Sequence, residues 1–304
     1  MSINCPLCGS QDPIPSGNVP RNLIEIYWKS INVDISHLID ADSSGFEIFR
    51  CFECDLKFFD PLVSGDAGLY EEISKQASYY NPHKWEFDLI LDHLYKSKNI
   101  HSLLEVGSGA GFFLEKAVKF IEDVEGVELN PKGIELARAK GLSVSNTDLF
   151  DVTKTYDAIV SFQVLEHVEK PGKMIEKMID RLNPGGKLVI VVPNQDGILG
   201  ELQYNFLNMP PHHLTLWSQK SMAYIAQNFD VKMLEYITEP LSIEMYVAFR
   251  DDHIRRLQQS SGILNRISNK IRNVIMDAHV VSDFVSSRDK LAGHSHIAIY
   301  QKSL

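Results

Sequence analysis

The chain has 304 residues, 44% of them hydrophobic and 23% charged, which is typical of a folded globular protein with a large core. Its 40 acidic residues outnumber its 30 lysines and arginines, so the net charge is −10, and no basic stripe stands out. Because clustered basic residues bind phosphate backbones, nucleic acid is not the expected partner. No run approaches the roughly 18 apolar residues of a membrane-spanning helix, and the N-terminus has no apolar signal region. A cytoplasmic location is therefore expected.

All cysteines of the chain occur in two Cys-x-x-Cys pairs, Cys5 with Cys8 and Cys51 with Cys54. Two such knuckles folded face to face supply the four thiolates of a tetrahedral zinc site. The alternative is a pair of redox dithiols or disulfides, which a cytosolic location disfavours. Because a zinc ion would use all four thiolates, the predicted site is structural. It defines an N-terminal zinc module over residues 1–62, with a core expected to be separate from that of the remaining chain.

The most informative segment is a strand-to-helix turn that is rich in glycine. An apolar strand, Leu103–Val106, contains Glu105 and is followed by Gly107, Gly109 and Gly111. A helix is predicted from Phe112 to Phe120. Glycines in such a turn allow positive φ and let a ligand press against bare backbone at a helix N-terminus. The spacing differs from the Gly-x-Gly-x-x-Gly of dinucleotide-binding proteins.

Strands and helices then alternate, as in a parallel sheet with crossover helices. The second strand ends at Glu128, about 20 residues past the turn, where an acid can accept hydrogen bonds from ribose hydroxyls. Pro131 follows at a position that favours the start of a helix. The further predicted elements are a helix over Gly133–Lys140, strands over Leu142–Ser145 and Tyr156–Phe162, a helix over Pro171–Leu182, a turn at Asn183–Gly186 and a strand over Lys187–Val192.

Together the glycine turn, Glu128, the segment Gln163–Val168 and the run Asn183–Leu188 resemble class I S-adenosylmethionine (SAM) methyltransferases of the small-molecule type. The resemblance is strong over residues 101–237. It implies an α/β fold, with a Rossmann-like, seven-stranded, mainly parallel sheet and flanking helices, and a methyltransferase domain over residues 101–304. It further implies that the SAM-binding residues are Glu105, Gly107, Ser108, Gly109, Gly111, Glu128, Leu129, Asp148, Leu149, Gln163 and Tyr80.

In the resembled family, an N-terminal helical segment lies over the SAM pocket. Residues 63–100 correspond to that segment in the sequence, so the resemblance implies that they form a helical lid or linker. Helices are predicted over Gly68–Gln76 and Lys84–Lys96. Tyr79 and Tyr80 lie between these helices, where they either touch the cofactor or acceptor or pack on the sheet. Asp148 is the acid that, by this resemblance, accepts a hydrogen bond from the adenine amino group.

Three histidines are candidates for the catalytic base. A hydroxyl acceptor benefits from a base within hydrogen-bond reach, and neutral imidazole titrates near physiological pH. His167 follows the fourth strand, where a packing or helix-capping role is the alternative. His212 and His213 lie in the irregular stretch Pro193–Trp217, outside the carboxyl end of the fifth strand, and one of the pair is expected to face the site. No acid cluster is evident near the fourth strand, so metal-independent chemistry is expected.

The C-terminal region predicts a helix over Gln219–Asn228, a sixth strand over Val231–Ile237 and an antiparallel seventh strand over His296–Gln301. Between the last two strands lies a helical insertion at about residues 238–294. Its apolar stripe, with basic residues on the other side, is consistent with ordinary packing, an acceptor lid, a dimer interface or peripheral membrane contact through residues 250–275.

The expected reaction is methyl transfer from SAM to a hydroxyl of a sugar in bacterial surface polysaccharide or nucleotide-sugar biosynthesis. The zinc module resembles those fused to bacterial sugar methyltransferases, and the segments Glu166–Val168 and Pro210–Leu214 resemble the same enzymes. The alternatives are a methyltransferase for a quinone, lipid or secondary metabolite, an RNA modifier that holds RNA with its zinc module, and an inactive SAM-binding scaffold. The negative net charge of the chain argues against an RNA modifier. The intact glycines of the turn and Glu128 argue against an inactive scaffold.

Overall fold

A computed structural model of the protein describes residues 3–40, 42–75, 81–201, 208–247, 249–250, 284 and 291–304. Tyr79, Tyr80 and most of the predicted helical insertion, including almost all of residues 250–275, lie outside the described residues. Across the described parts of the chain, no helix combines the length and apolarity needed to cross a bilayer.

The N-terminal part is built around a small antiparallel sheet. Its elements are β1 (Ile14–Pro20), α1 (Arg21–Ser30), β2 (Gly45–Arg50) and β3 (Lys57–Asp60), followed by α2 (Ala67–Ser74) and α3 (Trp85–Lys96). The strand order is β1-β2-β3-β9, and β9 (Thr215–Leu216) comes from far along the chain. The sheet of the N-terminal module is thus completed by a segment that lies between two strands of the large sheet along the chain.

The large sheet has seven strands in the order β10-β11-β8-β7-β4-β5-β6. Its elements are β4 (Ser102–Val106), α4 (Phe112–Ala117), β5 (Asp123–Val127), α5 (Pro131–Ala139), β6 (Val144–Ser145), β7 (Tyr156–Phe162), α6 (Pro171–Asp180), β8 (Leu182–Pro193), α7 (Ile198–Glu201), α8 (Gln219–Asn228), β10 (Val231–Thr238) and β11 (Ser295–Lys302). The five adjacent strands β8, β7, β4, β5 and β6 pair in parallel. Strand β11 is antiparallel to both of its neighbours, β8 and β10. The predicted fold class is confirmed.

Most predicted boundaries are within two residues of the observed ones, and two predictions are wrong by more than that. Helix α4 ends at Ala117 instead of Phe120. The predicted turn Asn183–Gly186 lies inside β8, where the pairing with β7 changes register and the four residues bulge from the ladder. Gly185 has φ 74°, a left-handed conformation that glycine adopts without strain.

The cysteine knuckles of the N-terminal module belong to the core of the large sheet, whereas α1 and its neighbours form a separate cluster that includes Ile24 and Trp28. Cys51 and Cys54 pack in the same buried cluster as Leu104 and Ile159 of the central strands. A side chain at Gly172 of α6 would collide with the backbone carbonyl of the first cysteine knuckle. The expectation of separate cores is therefore wrong for the cysteine knuckles, while the boundaries at residues 62 and 100 remain predictions.

Candidate active site

A cavity of about 1130 Å³ lies at the carboxyl ends of the parallel strands. That is where open α/β sheets place their ligands. The SAM-binding residues predicted from the resemblance that line it are Glu105, Gly107, Ser108, Gly109, Glu128, Leu129, Asp148, Leu149 and Gln163. Gly111 does not line the cavity; it lies at the N-cap of α4 with φ 74°.

The glycine turn leaves backbone exposed to the cavity. Gly107 and Gly109 have φ values of 74° and 52°, both in the left-handed region. A Cβ on Gly107 would lie 2.5 Å from Val164 Cγ2, so only glycine fits there without displacement. The amide of Gly109 donates to Glu128 Oε2 at 2.7 Å. Glu128 therefore links the turn to the start of α5, where its other oxygen accepts from the amides of residues 129 and 130.

Beside the turn, buried polar atoms face the cavity. Glu105 is 3% exposed, and burial raises the pKa of its carboxyl well above the usual range, while the charge of Lys84 opposes that shift. Among the described residues, Glu105 Oε2 and Ser108 Oγ have no hydrogen-bond partner. Buried polar groups normally have such partners. Both residues line the cavity, which is consistent with a polar ligand beside the glycine turn.

Several cavity residues were missed by the sequence analysis. Lys84 and Glu86 come from the start of α3, and Glu239, His294 and Ser295 come from the ends of β10 and β11. Burial raises the pKa of Glu239 to about 7, and its carboxylate accepts from the amide of Ser295 at 2.9 Å. The antiparallel pairing of β10 and β11 was the available signal, because it brings residue 239 and residue 294 to one sheet edge. No pattern in the sequence indicated Lys84.

The cavity is also lined by a group that we call the histidine cluster, consisting of Glu166, His167, His212 and His213. The ring centroid of His167 lies 4.4 Å from that of His212 and 4.8 Å from that of His213. The rings of His212 and His213 stack on each other, with centroids 4.6 Å apart. The structure thus brings all three predicted histidines together. The expectation that only one of the adjacent pair faces the site is wrong, because both line the cavity.

Hydrogen bonds and burial define the state of these rings. His167 Nδ1 lies 2.7 Å from the carbonyl oxygen of His212, to which it can only donate, and His213 Nδ1 lies 2.9 Å from Asn208 Oδ1. Burial lowers the pKa of His167 to about 4, although backbone carbonyls oppose that shift, and burial lowers the pKa of His213 well below its usual value. Both imidazoles are therefore neutral at physiological pH, with Nε2 as the acceptor.

Glu166 is the acid that the sequence analysis did not include in the site. Its side chain is fully buried, and in the part of the chain that the structure describes neither carboxylate oxygen has a hydrogen-bond partner. Oε1 lies 3.8 Å from His167 Nε2 and 4.0 Å from His213 Nε2. Burial raises the pKa of Glu166 to about 8. The only feature of the sequence that pointed to Glu166 was its position directly before His167, a candidate base.

The N-terminal module holds the segment that carries His212 and His213. Strand β9 pairs with β3, and the amide of Phe59 donates to the carbonyl of Leu214 at 3.0 Å. The indole nitrogen of Trp28 donates to the carbonyl of Pro210 at 3.1 Å. The module therefore acts as the support of one wall of the cavity.

The cysteine cluster of this module consists of Cys5, Cys8, Cys51 and Cys54, whose sulfur atoms all lie within 4.8 Å of one another. The Sγ atoms of Cys5 and Cys54 are 3.5 Å apart, as are those of Cys8 and Cys51. Tetrahedral zinc with bonds of about 2.3 Å to sulfur places thiolates about 3.8 Å apart. The two knuckles turn alike, because Gly9 and Asp55, both with positive φ, donate their amides to the carbonyls of the first cysteines.

Known proteins match this chain over its central part. Residues 74–236, more than half of the chain, match the family model described as a methyltransferase domain. The mitochondrial ubiquinone biosynthesis O-methyltransferase of Saccharomyces cerevisiae is 28% identical over 149 residues, 42% of this chain and 48% of that protein. The ubiquinone biosynthesis O-methyltransferase of Xanthomonas oryzae pv. oryzae is 30% identical over 103 residues, 31% of this chain and 43% of the relative. The chain thus spans less than half of the length of either relative.

Solved structures match as well. A SAM-bound amino pentose methyltransferase of calicheamicin biosynthesis from Micromonospora echinaspora is 28% identical, with a TM-score of 0.35, over 40% of this chain and 55% of the other. Magnesium protoporphyrin IX methyltransferase from Synechocystis is 14% identical, with a TM-score of 0.49, over 73% of this chain and 84% of the other.

Proposed function

This chain belongs to the methyltransferase domain family, of the class I SAM-dependent type, and we propose that it methylates a hydroxyl of a sugar in bacterial surface polysaccharide or nucleotide-sugar biosynthesis. The observation that carries the proposal is the cavity at the carboxyl edge of the sheet. The glycine turn, Glu128 and the histidine cluster all line this cavity. A volume of about 1130 Å³ is enough for a cofactor together with a small acceptor.

When bound, SAM supplies a methyl group on a sulfonium, which an acceptor oxygen displaces in line. The glycine turn, Glu105 and Ser108 offer backbone and polar side-chain atoms to the cofactor, and Glu128 and Asp148 line the same wall. Holding both reactants in attack geometry can account for most of the rate. The protein therefore acts mainly by positioning.

The hydroxyl of the acceptor must lose its proton as its oxygen attacks, and the histidine cluster is the group that promotes this loss. Nε2 of His167 and of His213 is free to accept, because Nδ1 of each ring is held by a carbonyl or amide oxygen. The side chain of Tyr70 packs edge-on against His167 and near His212, which screens this wall. That a single one of the three histidines takes the proton remains a prediction.

The polar side chains that line the cavity favour a polar acceptor. The wall away from the glycine turn carries the histidine cluster together with Glu86, Glu239 and His294. Such side chains suit hydrogen bonds to several hydroxyl groups, which a sugar supplies. A quinone-type phenol is the second candidate, because the ubiquinone biosynthesis O-methyltransferases are relatives of this chain.

We also propose that the cysteine cluster binds one structural zinc ion per chain. The donor set is four thiolates on two similar turns, with sulfur separations close to those of a tetrahedral site. The ion would hold together the module that supports the His212 segment. In this position it has no direct part in methyl transfer. A cytoplasmic location completes the proposal.

A panel assay tests the acceptor. Purified protein with radiolabelled SAM is offered nucleotide sugars, polysaccharide fragments, catechol-type quinols and transfer RNA under the same conditions. We expect label to pass to the carbohydrate class. Transfer only to quinols would establish the second candidate, and transfer only to RNA would exclude both. Failure to bind S-adenosylhomocysteine would overturn the methyltransferase proposal itself.

A further inference from the structure

We propose that His167, His212 and His213, with the carboxylate of Glu166, bind one divalent transition-metal ion at the acceptor wall of the cavity. This site is separate from the cysteine cluster and has different donor chemistry. The inference deepens the proposed function, on which its catalytic role rests. Metal binding itself can be measured without turnover.

The three histidines converge. One ring nitrogen from each lies within 4.8 Å of one ring nitrogen from each of the others. Glu166 Oε1 lies 3.8 Å and 4.0 Å from Nε2 of His167 and His213. Three imidazoles and one carboxylate are a donor set that suits zinc, iron, nickel or copper. Small rotations of these side chains bring the donors from their present separations to bonding distance around one ion.

The surrounding hydrogen bonds orient the rings as metal ligands are usually oriented. A ligating histidine commonly donates its other N–H to a carbonyl or carboxylate, which sets the tautomer. His167 Nδ1 is positioned to donate to the backbone carbonyl of His212, and His213 Nδ1 to the amide oxygen of Asn208. In both rings Nε2 is then the nitrogen left to bind a metal ion, and it lies within 4.0 Å of Glu166 Oε1.

The carboxylate supplies an independent observation. Glu166 is completely buried, and within the described ranges neither of its oxygens has a hydrogen-bond partner. Removing a carboxylate from water without a compensating partner costs free energy. The Nε2 atoms of His167 and His213 lie 3.8 Å and 4.0 Å from Oε1, beyond hydrogen-bond distance. A cation held by the imidazoles would bind the carboxylate and use its unpartnered oxygens, which makes a metal site a better account of the cluster than three separate bases.

A metal ion at this wall would act on the acceptor. A hydroxyl oxygen that coordinates the ion has a lower pKa, so its proton passes more readily to cavity water. The oxygen then forms its bond to the methyl carbon as the bond from that carbon to sulfur breaks. The ion would also orient the acceptor. This proposal replaces the expectation of metal-independent chemistry.

Cobalt titration tests the proposal. Protein carrying one zinc ion per chain is titrated with Co²⁺, and absorption is recorded. We expect a second equivalent to bind with weak ligand-field bands and without thiolate charge-transfer absorption. Glu166→Gln and His213→Ala should lose this binding, and Asn208→Ala should weaken it about 10–100-fold. His37→Ala, at an exposed histidine paired with Asp66, is the control and should bind Co²⁺ normally.

The outcomes separate the site from the function. Absence of a second equivalent in the wild-type protein, or unchanged binding in both Glu166→Gln and His213→Ala, would overturn the metal site. If such protein still binds S-adenosylhomocysteine and transfers methyl groups, the proposed function stands and a histidine base replaces the ion. Co²⁺ binding without S-adenosylhomocysteine binding would support the metal site and overturn the proposed function. Each variant is first checked for S-adenosylhomocysteine affinity, which should match that of the wild type.

Discussion

The indole nitrogen of Trp28 donates a hydrogen bond to the carbonyl oxygen of Pro210 at 3.1 Å, across 182 residues of sequence. Trp28 is fully buried in α1, and the ring of the neighbouring His212 lies edge-on to the indole at 6.2 Å. This contact joins the N-terminal module to the wall of the cavity that carries the histidine cluster. The module therefore affects the acceptor side more directly than the cofactor side.

Trp28→Phe tests this connection. The variant keeps a ring but leaves the buried carbonyl of Pro210 without its partner, so stability should fall by about 1–3 kcal/mol. Turnover should fall while the affinity for S-adenosylhomocysteine is unchanged. Calorimetric binding, turnover and thermal unfolding check these expectations. Ile26→Ala, on the exposed side of the same helix, is the control. Equal losses of cofactor affinity and turnover would contradict the proposed division of roles.

Gly109→Arg should abolish S-adenosylhomocysteine binding. Gly109 has φ 52° and lines the cavity, so the new side chain would both strain the turn and fill the space of the ligand. Gly141→Arg is a matched control, because Gly141 also has positive φ but a Cβ at that position would meet no atom within 4 Å. Isothermal calorimetry on both variants separates backbone strain from loss of the pocket. Retained binding in Gly109→Arg would place the cofactor elsewhere.

Cys51→Ser should lose zinc and destabilise the whole chain. Cys51 is completely buried in the core that also contains Leu104 and Ile159, so the module cannot unfold without exposing the face of the large sheet. A single unfolding transition at lower temperature is expected, together with less than one zinc per chain by elemental analysis. Phe52→Ser, in the same knuckle at a side chain that is 68% exposed, should keep both zinc and stability. Two separate transitions would restore the idea of independent cores.

Glu239 should make stability fall as pH rises. Its carboxyl has a pKa of about 7 in the folded protein against 4.5 for the free group, because burial and the charge of Glu86 disfavour ionisation, while hydrogen bonds from Ser295 and His294 partly oppose this. The folded state therefore binds the proton more tightly, and the associated stability is lost between about pH 4.5 and 7. Linkage gives on the order of 2 kcal/mol after allowance for partial exposure.

The Glu239 prediction is checked by urea unfolding across that pH window. Glu239→Gln should flatten the pH dependence relative to wild type, whereas Glu47→Gln, at an exposed position of β2, should not. An unchanged slope in Glu239→Gln would show that another group titrates there.

His167→Ala and His213→Ala should each reduce turnover about 10²–10⁴-fold, whether the ring accepts the proton or binds a metal ion that acidifies the acceptor. Cofactor affinity should survive in His213→Ala and drop modestly at most in His167→Ala, because the cofactor is expected at the glycine turn and Glu128. Turnover of each variant with the true acceptor, across pH, is the measurement. Near-wild-type rates with an unchanged pH profile in these two variants and in His212→Ala would remove the three histidines from catalysis.

The sequence by itself determined the features that depend on local conformation and short spacing. The glycines of the turn at Gly107 to Gly111 must adopt positive φ, the alternation of strands and helices follows from their apolar periodicity, and each Cys-x-x-Cys pair defines one knuckle. Even the antiparallel last strand could be predicted, because it completes a sheet of known connectivity. Except for the last strand, which the resemblance to a known family implied, these properties require only residues that are close along the chain.

Only the tertiary structure decided which distant residues meet. Apolar periodicity indicates which face of an element is buried but not against which partner, so the core shared by Cys51 and Leu104 had no signal in the sequence. The convergence of His167 with His212 and His213 depends on β9 pairing with β3. Burial of Glu166 follows from that same packing, because the segment after β8 covers its side chain and removes it from water.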